Sequence, residues 1–288
     1  MLISSTPLVN TIGICRKSIE ARTSSLAYPV DADTHQIWGR KSLQKGFVHL
    51  WVVAVCFNRI GKEKAMRKLI MGIVDFRERM LPQYQQRFEA LALTQTPDAL
   101  FVTCSDSRVV PDLLASTEPG DLFTLRNVGN LVPPATAEGI SSGDLSEASA
   151  IEYAVLILKV ANIVVCGHSE CGAMKAVLAS STHQEAPNLA KWLHHAYGAA
   201  FRLEHEGALN AELKPHDQLS QLNVLVQLEH LMSYPLVRER VAAGTLRLSA
   251  WWFEVALGTM YAYERTSRSF EVIDRATAER LAARLGRP

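Results

Sequence analysis

The stretch Asn162–Gly172, NIVVCGHSECG, decides the fold class of this chain. After its first residue the run IVVC is apolar without alternation, which is typical of a strand buried on both faces of a sheet. The run ends at Gly167, and His168 and Cys171 follow directly. A second apolar run, Ala99–Cys104, also ends in a cysteine. Buried strands separated by helical patterns indicate a parallel sheet covered by helices.

The rest of the chain predicts the same class. Another strand is expected at Leu122–Arg126, and Ser146 is the expected N-cap of a helix over 146–159. Further helices are predicted at 173–179, 188–206, 217–232 and 276–285, and further strands at 246–255, 259–264 and 270–273. We therefore expect an α/β fold with a central, mostly parallel sheet flanked by helices and with added C-terminal strands. Ligands of such sheets bind at the carboxyl ends of the strands, where Cys104 and His168 lie.

The chain has 288 residues, which suits one large domain with additions. Residues 1–62 lack sustained periodicity, and we expect an N-terminal extension that is disordered or that reflects an upstream start codon. A targeting or regulatory segment is the alternative. From residue 63 the pattern sharpens, and Leu69, Ile70 and Ile73 follow helical spacing. The predicted domain is therefore 63–288.

The charge, apolar runs and cysteine count of the chain limit the classes of partner that it can bind. Thirty basic and 29 acidic residues give a net charge of +1, which leaves no electrostatic footprint for nucleic acid or an acidic membrane. The longest apolar run, residues 46–57, is shorter than the roughly 20 residues of a membrane helix. Five cysteines are too few, at this length, for a disulfide scaffold. We expect a cytoplasmic protein that acts on a small molecule.

Three residues form a candidate metal site. His168 and Cys171 can converge from one turn, and Cys104 can join them from a neighbouring strand. Two thiolates and one imidazole suit zinc, and three protein ligands leave the open position of a catalytic site. Cys166 lies on the same strand as His168 and is expected to be a buried core thiol.

An acidic and a basic residue follow the first cysteine. Asp106 and Arg108 are alternate residues, which would share one face of an extended segment. A guanidinium beside a carboxylate keeps the carboxylate ionised and can hold it away from a metal. Asp106 is thus either a fourth ligand or a base next to the metal, and a plain structural ion pair is the alternative.

The pattern C-x-D-x-R followed by H-x-x-C resembles the β-class carbonic anhydrases. The resemblance runs from about Met66 to the C-terminal strands and includes the segments EPGDLF at 118–123, RNVGN at 126–130 and CGHSECGAM at 166–174. The chain looks most similar to the bacterial carbonic anhydrases found with cyanate-degrading enzymes.

The resemblance implies one zinc ion per chain bound by Cys104, His168 and Cys171, with Asp106 and Arg108 as the catalytic dyad. It also implies a small pocket for carbon dioxide or bicarbonate. The residues at matching positions are Gln95, Phe123, Val128, Tyr153 and the backbone N–H of Gly172. The family resemblance further implies a homodimer or a larger homo-oligomer, since Gln95 and Tyr153 match regions that meet at the family's dimer interface.

The chain departs from some relatives at one place. Members of the family that are inhibited by bicarbonate use a Trp, an Arg and a Tyr in a second pocket. Here the matching positions are Phe101, Arg126 and Phe253, so that only the arginine remains. Inhibition of that kind is therefore not expected.

The resemblance predicts that zinc lowers the pKa of a bound water and that the resulting hydroxide attacks carbon dioxide. Three alternatives differ in class: a zinc hydrolase of carbonyl sulfide or carbon disulfide on the same scaffold, a hydrolase with Ser169 in a nucleophile elbow, and a non-catalytic structural zinc domain. No proton shuttle is assigned. The candidates are expected to be solvated surface residues: His183, His194, His195 and His205.

Overall fold

The computed structural model describes residues 64–179 and 185–285. The predicted extension, 1–62, lies outside the described residues, so its boundary stays a prediction. The chain divides into two compact units, Met1–Gln85 and Gln86–Pro288. Residues 64–75 are helical and continue through a π-helical turn at Phe76–Met80 into the helix Leu81–Leu91, and we call this stretch α1.

The apolar residues that predicted α1 are exposed. Leu69, Ile70 and Ile73 keep 63%, 55% and 65% of their surface accessible. The helix is thus confirmed, and these three apolar side chains are exposed among the described residues.

The second unit contains a mixed sheet, as predicted. Its strands in chain order are β1 (Ala99–Cys104), β2 (Leu122–Asn127), β3 (Asn162–His168), β4 (Arg247–Glu254), β5 (Thr259–Glu264) and β6 (Ser269–Val272). They lie in the order β2-β1-β3-β4-β5-β6. The first four are parallel, and β5 and β6 add antiparallel pairs at one edge. The fold class is confirmed.

Helices cover this sheet. They are α2 (Pro111–Ala115), α3 (Leu145–Glu152, followed by a π-helical turn Tyr153–Ile157), α4 (Gly172–Leu178), α5 (Pro187–Leu193), α6 (Tyr197–His205), α7 (Pro215–Ser233), α8 (Pro235–Ala242) and α9 (Arg275–Leu285). No helix among the described residues is both long and apolar enough to span a bilayer.

Two local predictions were wrong. The side chain of Asp144, not Ser146, caps α3, because its Oδ1 accepts the Ser146 N–H at 2.8 Å. The helix predicted at 188–206 is interrupted by a 3₁₀ turn at His194–Ala196, and it is therefore two helices, α5 and α6.

The register of the central strands positions the site. Every residue of β1 is buried, and so is β3 from Ile163 onward, as expected for strands covered on both faces. Thr103 of β1 pairs with Cys166 of β3, so both strands end at the same edge of the sheet. Cys104 and His168, the last residues of these strands, therefore meet at that edge.

Candidate metal centre

The three predicted ligands lie together. One ligand atom each from Cys104, His168 and Cys171 falls within 4.8 Å of the others, and all three residues are buried. Cys171 lies just before α4, which places its side chain next to His168. The thiols of both ligand cysteines are free.

The imidazole of His168 is oriented so that one ring nitrogen is free to bind a metal ion. Its Nδ1 lies 2.8 Å from the Ser169 carbonyl oxygen, and a carbonyl can only accept, so Nδ1 carries the proton. Nε2 then carries the free lone pair of the ring. This atom is buried and has no hydrogen-bond partner among the described residues. A buried acceptor without a partner is costly, and a metal ion would satisfy it.

The two cysteines of the cluster influence each other's pKa. The neighbouring Cys171 side chain holds the pKa of Cys104 below its ordinary value. Cys104, together with burial, raises the pKa of Cys171. A coordinated divalent ion deprotonates such thiols outright. The donor set of two thiolates and one imidazole fits zinc.

Cys166 takes no part in this cluster. It is fully buried, and burial raises the pKa of its thiol to about 12. The prediction of a buried core thiol is confirmed.

Asp106 and Arg108 form a bidentate pair beside the ligands. Arg108 Nε donates to Asp106 Oδ1 at 2.9 Å, and Nη2 donates to Oδ2 at 2.7 Å. The Arg108 N–H also donates to Oδ1, so the two residues sit in a turn and not in the extended segment that the sequence suggested. Arg108 holds the pKa of the Asp106 carboxyl well below its usual range. Asp106 Oδ2 lies 3.9 Å from His168 Nε2.

Main-chain contacts fix this pair. Arg108 Nη2 donates to the Glu170 carbonyl oxygen at 3.1 Å. Glu170 has a φ of +58°, which is uncommon for a residue with a side chain. The buried Asp217 accepts the Glu170 N–H at 2.6 Å and thereby stabilises this backbone conformation. Sequence reasoning missed Asp217, which begins no recognisable motif and lies 47 residues from Glu170.

Arg126 supports the dyad from the neighbouring strand. Its Nε donates to the Cys104 carbonyl oxygen at 3.2 Å, and its Nη2 donates to the Asp106 carbonyl oxygen at 2.8 Å. Phe101 and Phe253, which the resemblance matches to two positions of the bicarbonate pocket in some relatives, are buried in one apolar cluster. Neither phenyl ring offers a hydrogen bond to an anion.

The predicted substrate residues fall into two groups within one chain. The rings of Phe123 and Tyr153 lie 5.8 Å apart, and Tyr153 shares a surface cavity of about 700 Å³ with Gln95. Val128 is 43% exposed and lines a second cavity, of about 820 Å³, with the residue after Cys104. Gly172 begins α4, and a Cβ placed there would meet no atom within 4 Å. There is thus open space next to Cys171, one of the predicted ligands.

The exposure of Ser169 and of the histidines tests two further predictions. Ser169 is 5% exposed, and its Oγ accepts the Val255 N–H at 2.9 Å, whereas a nucleophile elbow needs an accessible hydroxyl. His194 and His205 are exposed as expected. His195 is not a solvated surface residue: it is half-buried, it lines the cavity beside Val128, and burial lowers its pKa. His183 lies outside the described residues.

The fold and the site together define an α/β enzyme with a Cys–His–Cys cluster at the ends of parallel strands. Residues 99–260 match the family model described as carbonic anhydrase. A carbonic anhydrase from Pseudomonas aeruginosa is 43% identical over 206 residues, which cover 71% of this chain and 90% of the relative. One from Synechococcus elongatus is 42% identical over 214 residues, 73% of this chain and 75% of that relative.

Solved structures of β-carbonic anhydrases are also similar to this chain. The β-carbonic anhydrase CcaA superposes with a TM-score of 0.67 at 35% identity, over 72% of this chain and 99% of that one. A tetrameric β-carbonic anhydrase from Sordaria macrospora gives 0.59 at 29% identity, over 69% and 96%. This chain belongs to the β-class of the carbonic anhydrase family, the enzymes that hydrate carbon dioxide.

Proposed function

We propose that this enzyme hydrates carbon dioxide reversibly to bicarbonate and a proton with one zinc ion per chain, held by Cys104, His168 and Cys171. The observation that carries the proposal is the His168 imidazole: its Nε2 atom is buried and has no hydrogen-bond partner among the described residues, and a ring nitrogen of this residue falls within 4.8 Å of both sulfur atoms. Bound zinc supplies a Lewis acid that makes water acidic enough to act as a hydroxide nucleophile near neutral pH.

Asp106 and Arg108 are the proposed catalytic dyad. Because Arg108 keeps the pKa of Asp106 low, the carboxylate is ionised at any pH at which the enzyme works. It can then accept a hydrogen bond from the attacking water and orient a lone pair toward carbon dioxide.

The fork geometry also keeps Asp106 from the metal. Both carboxylate oxygens are engaged by Arg108, and Oδ2 remains 3.9 Å from His168 Nε2. If the guanidinium were displaced, Asp106 could become the fourth ligand and close the site. Among the described residues no further cysteine or histidine joins the cluster, which argues against a closed structural zinc site.

Gln95, Phe123, Val128, Tyr153 and Gly172 are the proposed substrate-binding residues. Gln95 and Tyr153 share a cavity on the chain surface, and Val128 and Gly172 adjoin the ligand cysteines. A second copy of the chain would bring the first group to the second, so we propose that the working enzyme is a homodimer or a larger homo-oligomer. The exposed apolar face of α1 supports an assembly of this kind.

Two statements about the setting remain proposals. We propose a cytoplasmic location, which suits thiolate ligands because that compartment is reducing. The association with cyanate degradation stays a prediction, and it requires that loss of the enzyme impair growth on cyanate at low carbon dioxide.

The test measures zinc content and the stopped-flow rate of carbon dioxide hydration in the same samples. We expect close to one zinc per chain, and C104S and C171S are expected to lose metal and activity together. C166A is the matched control, since this buried thiol lies outside the cluster, and it is expected to keep both. Full activity without zinc in C104S would contradict the site. Hydrolysis of carbonyl sulfide or carbon disulfide without carbon dioxide hydration would favour the alternative hydrolase on this scaffold.

A further inference from the structure

The peptide group that joins Val128 to Gly129 is hydrogen-bonded on both sides. The Trp192 indole Nε1–H donates to the Val128 carbonyl oxygen at 2.8 Å. The Gly129 N–H donates to Cys104 Sγ at 3.4 Å. Both groups belong to one planar peptide unit, so an unbroken chain of hydrogen bonds runs from the indole to the sulfur of a proposed ligand.

Close packing keeps this peptide in place. Gly129 has a φ of +86°, which glycine adopts freely, and a Cβ there would lie 2.9 Å from the Cβ of Ala173 in α4. The buried Asn223 of α7 donates to the Gly129 carbonyl oxygen at 3.1 Å. The loop after β2 is therefore pinned against the helix that begins directly after Cys171.

The hydrogen-bond donor, Trp192, is also held by packing contacts. Trp192 lies in the last turn of α5 and packs against the apolar cluster that includes Cys104 and Cys171. Its ring also meets the His195 ring edge-on, with the centroids 5.4 Å apart. This packing orients the Trp192 ring, so that the indole N–H points to the Val128 carbonyl oxygen.

A hydrogen bond to a thiolate withdraws electron density from the sulfur, and hydrogen bonds in a chain strengthen one another. Groups that bond to metal ligands orient those ligands and tune the metal. We propose that Trp192 is a positioning residue for Cys104 and that it acts through the Val128–Gly129 peptide to set the N–H···S bond to this ligand. The inference rests on the proposed zinc site.

The test compares W192F with the wild-type enzyme. Phe keeps an aromatic ring and removes the donor. In the cobalt-substituted protein, the thiolate-to-cobalt charge-transfer band is expected to move to longer wavelength, because a sulfur with a weaker hydrogen bond gives up an electron more easily. Zinc affinity, measured by competition with a chelator, is expected to fall about tenfold, the lower end of the range for groups that bond to metal ligands.

The matched control is W251F. Trp251 packs edge-on against Phe101 at 5.9 Å, next to a cluster that contains neither ligand cysteine. The same chemical change there is expected to leave the charge-transfer band and the zinc affinity unchanged.

The outcomes separate the two proposals. If the wild-type enzyme binds neither cobalt nor zinc, the zinc site is wrong and this inference falls with it. If the wild-type enzyme binds both and W192F matches it in band position and affinity, only the inference is overturned. Should W192F fail to fold, protein that carries fluorotryptophan at position 192 alone replaces it. The indole N–H is then a stronger donor, so the band is expected to move to shorter wavelength, and an unmoved band overturns the inference.

Discussion

Replacing Arg108 with Ala is expected to leave zinc bound and to lower the hydration rate by about 30- to 150-fold. Arg108 donates two side-chain hydrogen bonds to Asp106, at 2.9 and 2.7 Å. A hydrogen bond to a charged group contributes roughly 1.5–3 kcal/mol, or about 3–6 kcal/mol for two. The Arg108 side chain is 44% exposed, so solvent screening reduces this to about 2–3 kcal/mol. At about 1.4 kcal/mol for each factor of ten, the stated loss follows.

The loss has a structural cause that can be observed separately. Without the guanidinium, Asp106 is free to move the short distance from its position 3.9 Å from His168 Nε2 and to become a fourth ligand. The pKa of Asp106 also rises toward its ordinary value of 3.8, which is still far below neutral. The carboxylate therefore stays ionised in the assay, and the rate loss cannot come from its protonation. Wild-type activity itself is expected to rise toward alkaline pH.

The assay is stopped-flow hydration with zinc measured in each sample. R108K is the matched control: a lysine keeps the charge but cannot form the fork, so an intermediate rate is expected. D106N is expected to retain zinc, since three ligands remain, and to lose orders of magnitude in rate. If R108A or D106N keeps the wild-type rate at every pH, the pair is only a structural ion pair and the mechanism is wrong.

Three further predictions concern the rest of the chain. Burial raises the pKa of Glu147 above its ordinary 4.5. The folded protein therefore loses stability as pH rises through the raised pKa, because the buried carboxyl must then ionise. E147Q should then match the wild type in urea unfolding near pH 4 and exceed its stability at pH 8, and equal stability at both values would contradict the buried carboxyl. Deleting residues 1–62 is expected to change zinc content and rate by less than about a factor of two, and a large loss of solubility would refute this. The enzyme is expected to be at least a dimer in light scattering. I73D, which alters a residue 65% exposed on α1, should weaken that assembly, whereas an active wild-type monomer would contradict it.

The parts of the site that sequence predicted correctly depend on local patterns. An apolar run without alternation indicates a strand covered on both faces, and β1 and β3 are such strands. A residue at the carboxyl end of one parallel strand meets its counterpart on the next, which brings Cys104 to His168. The Asp106–Arg108 pair could be predicted from spacing, although its turn geometry could not.

The parts that sequence could not supply depend on distant chain segments. Asp217 reaches Glu170 from 47 residues away, and Trp192 reaches Val128 from 64 residues away. Neither partner belongs to a spacing that a local pattern could show. The exposure of Ile73 is a different case, since helical spacing indicates which face is apolar but not whether that face packs within one chain or against another.

One glycine shows how sequence and packing meet at the centre. Gly167 interrupts the apolar run of β3 just before His168. A Cβ at this position would lie 2.6 Å from Val224 Cγ2 and 3.3 Å from the Ser220 carbonyl oxygen, so only glycine lets α7 approach the strand this closely. That approach allows Ser220 Oγ to donate to the His168 carbonyl oxygen at 2.8 Å. The Trp252 indole donates to the same hydroxyl at 3.1 Å. Gly167 therefore allows α7 to hold the backbone of His168. Gly129 has a similar role at Cys104, because the absence of a side chain lets its peptide pack on α4 and donate to the Cys104 sulfur.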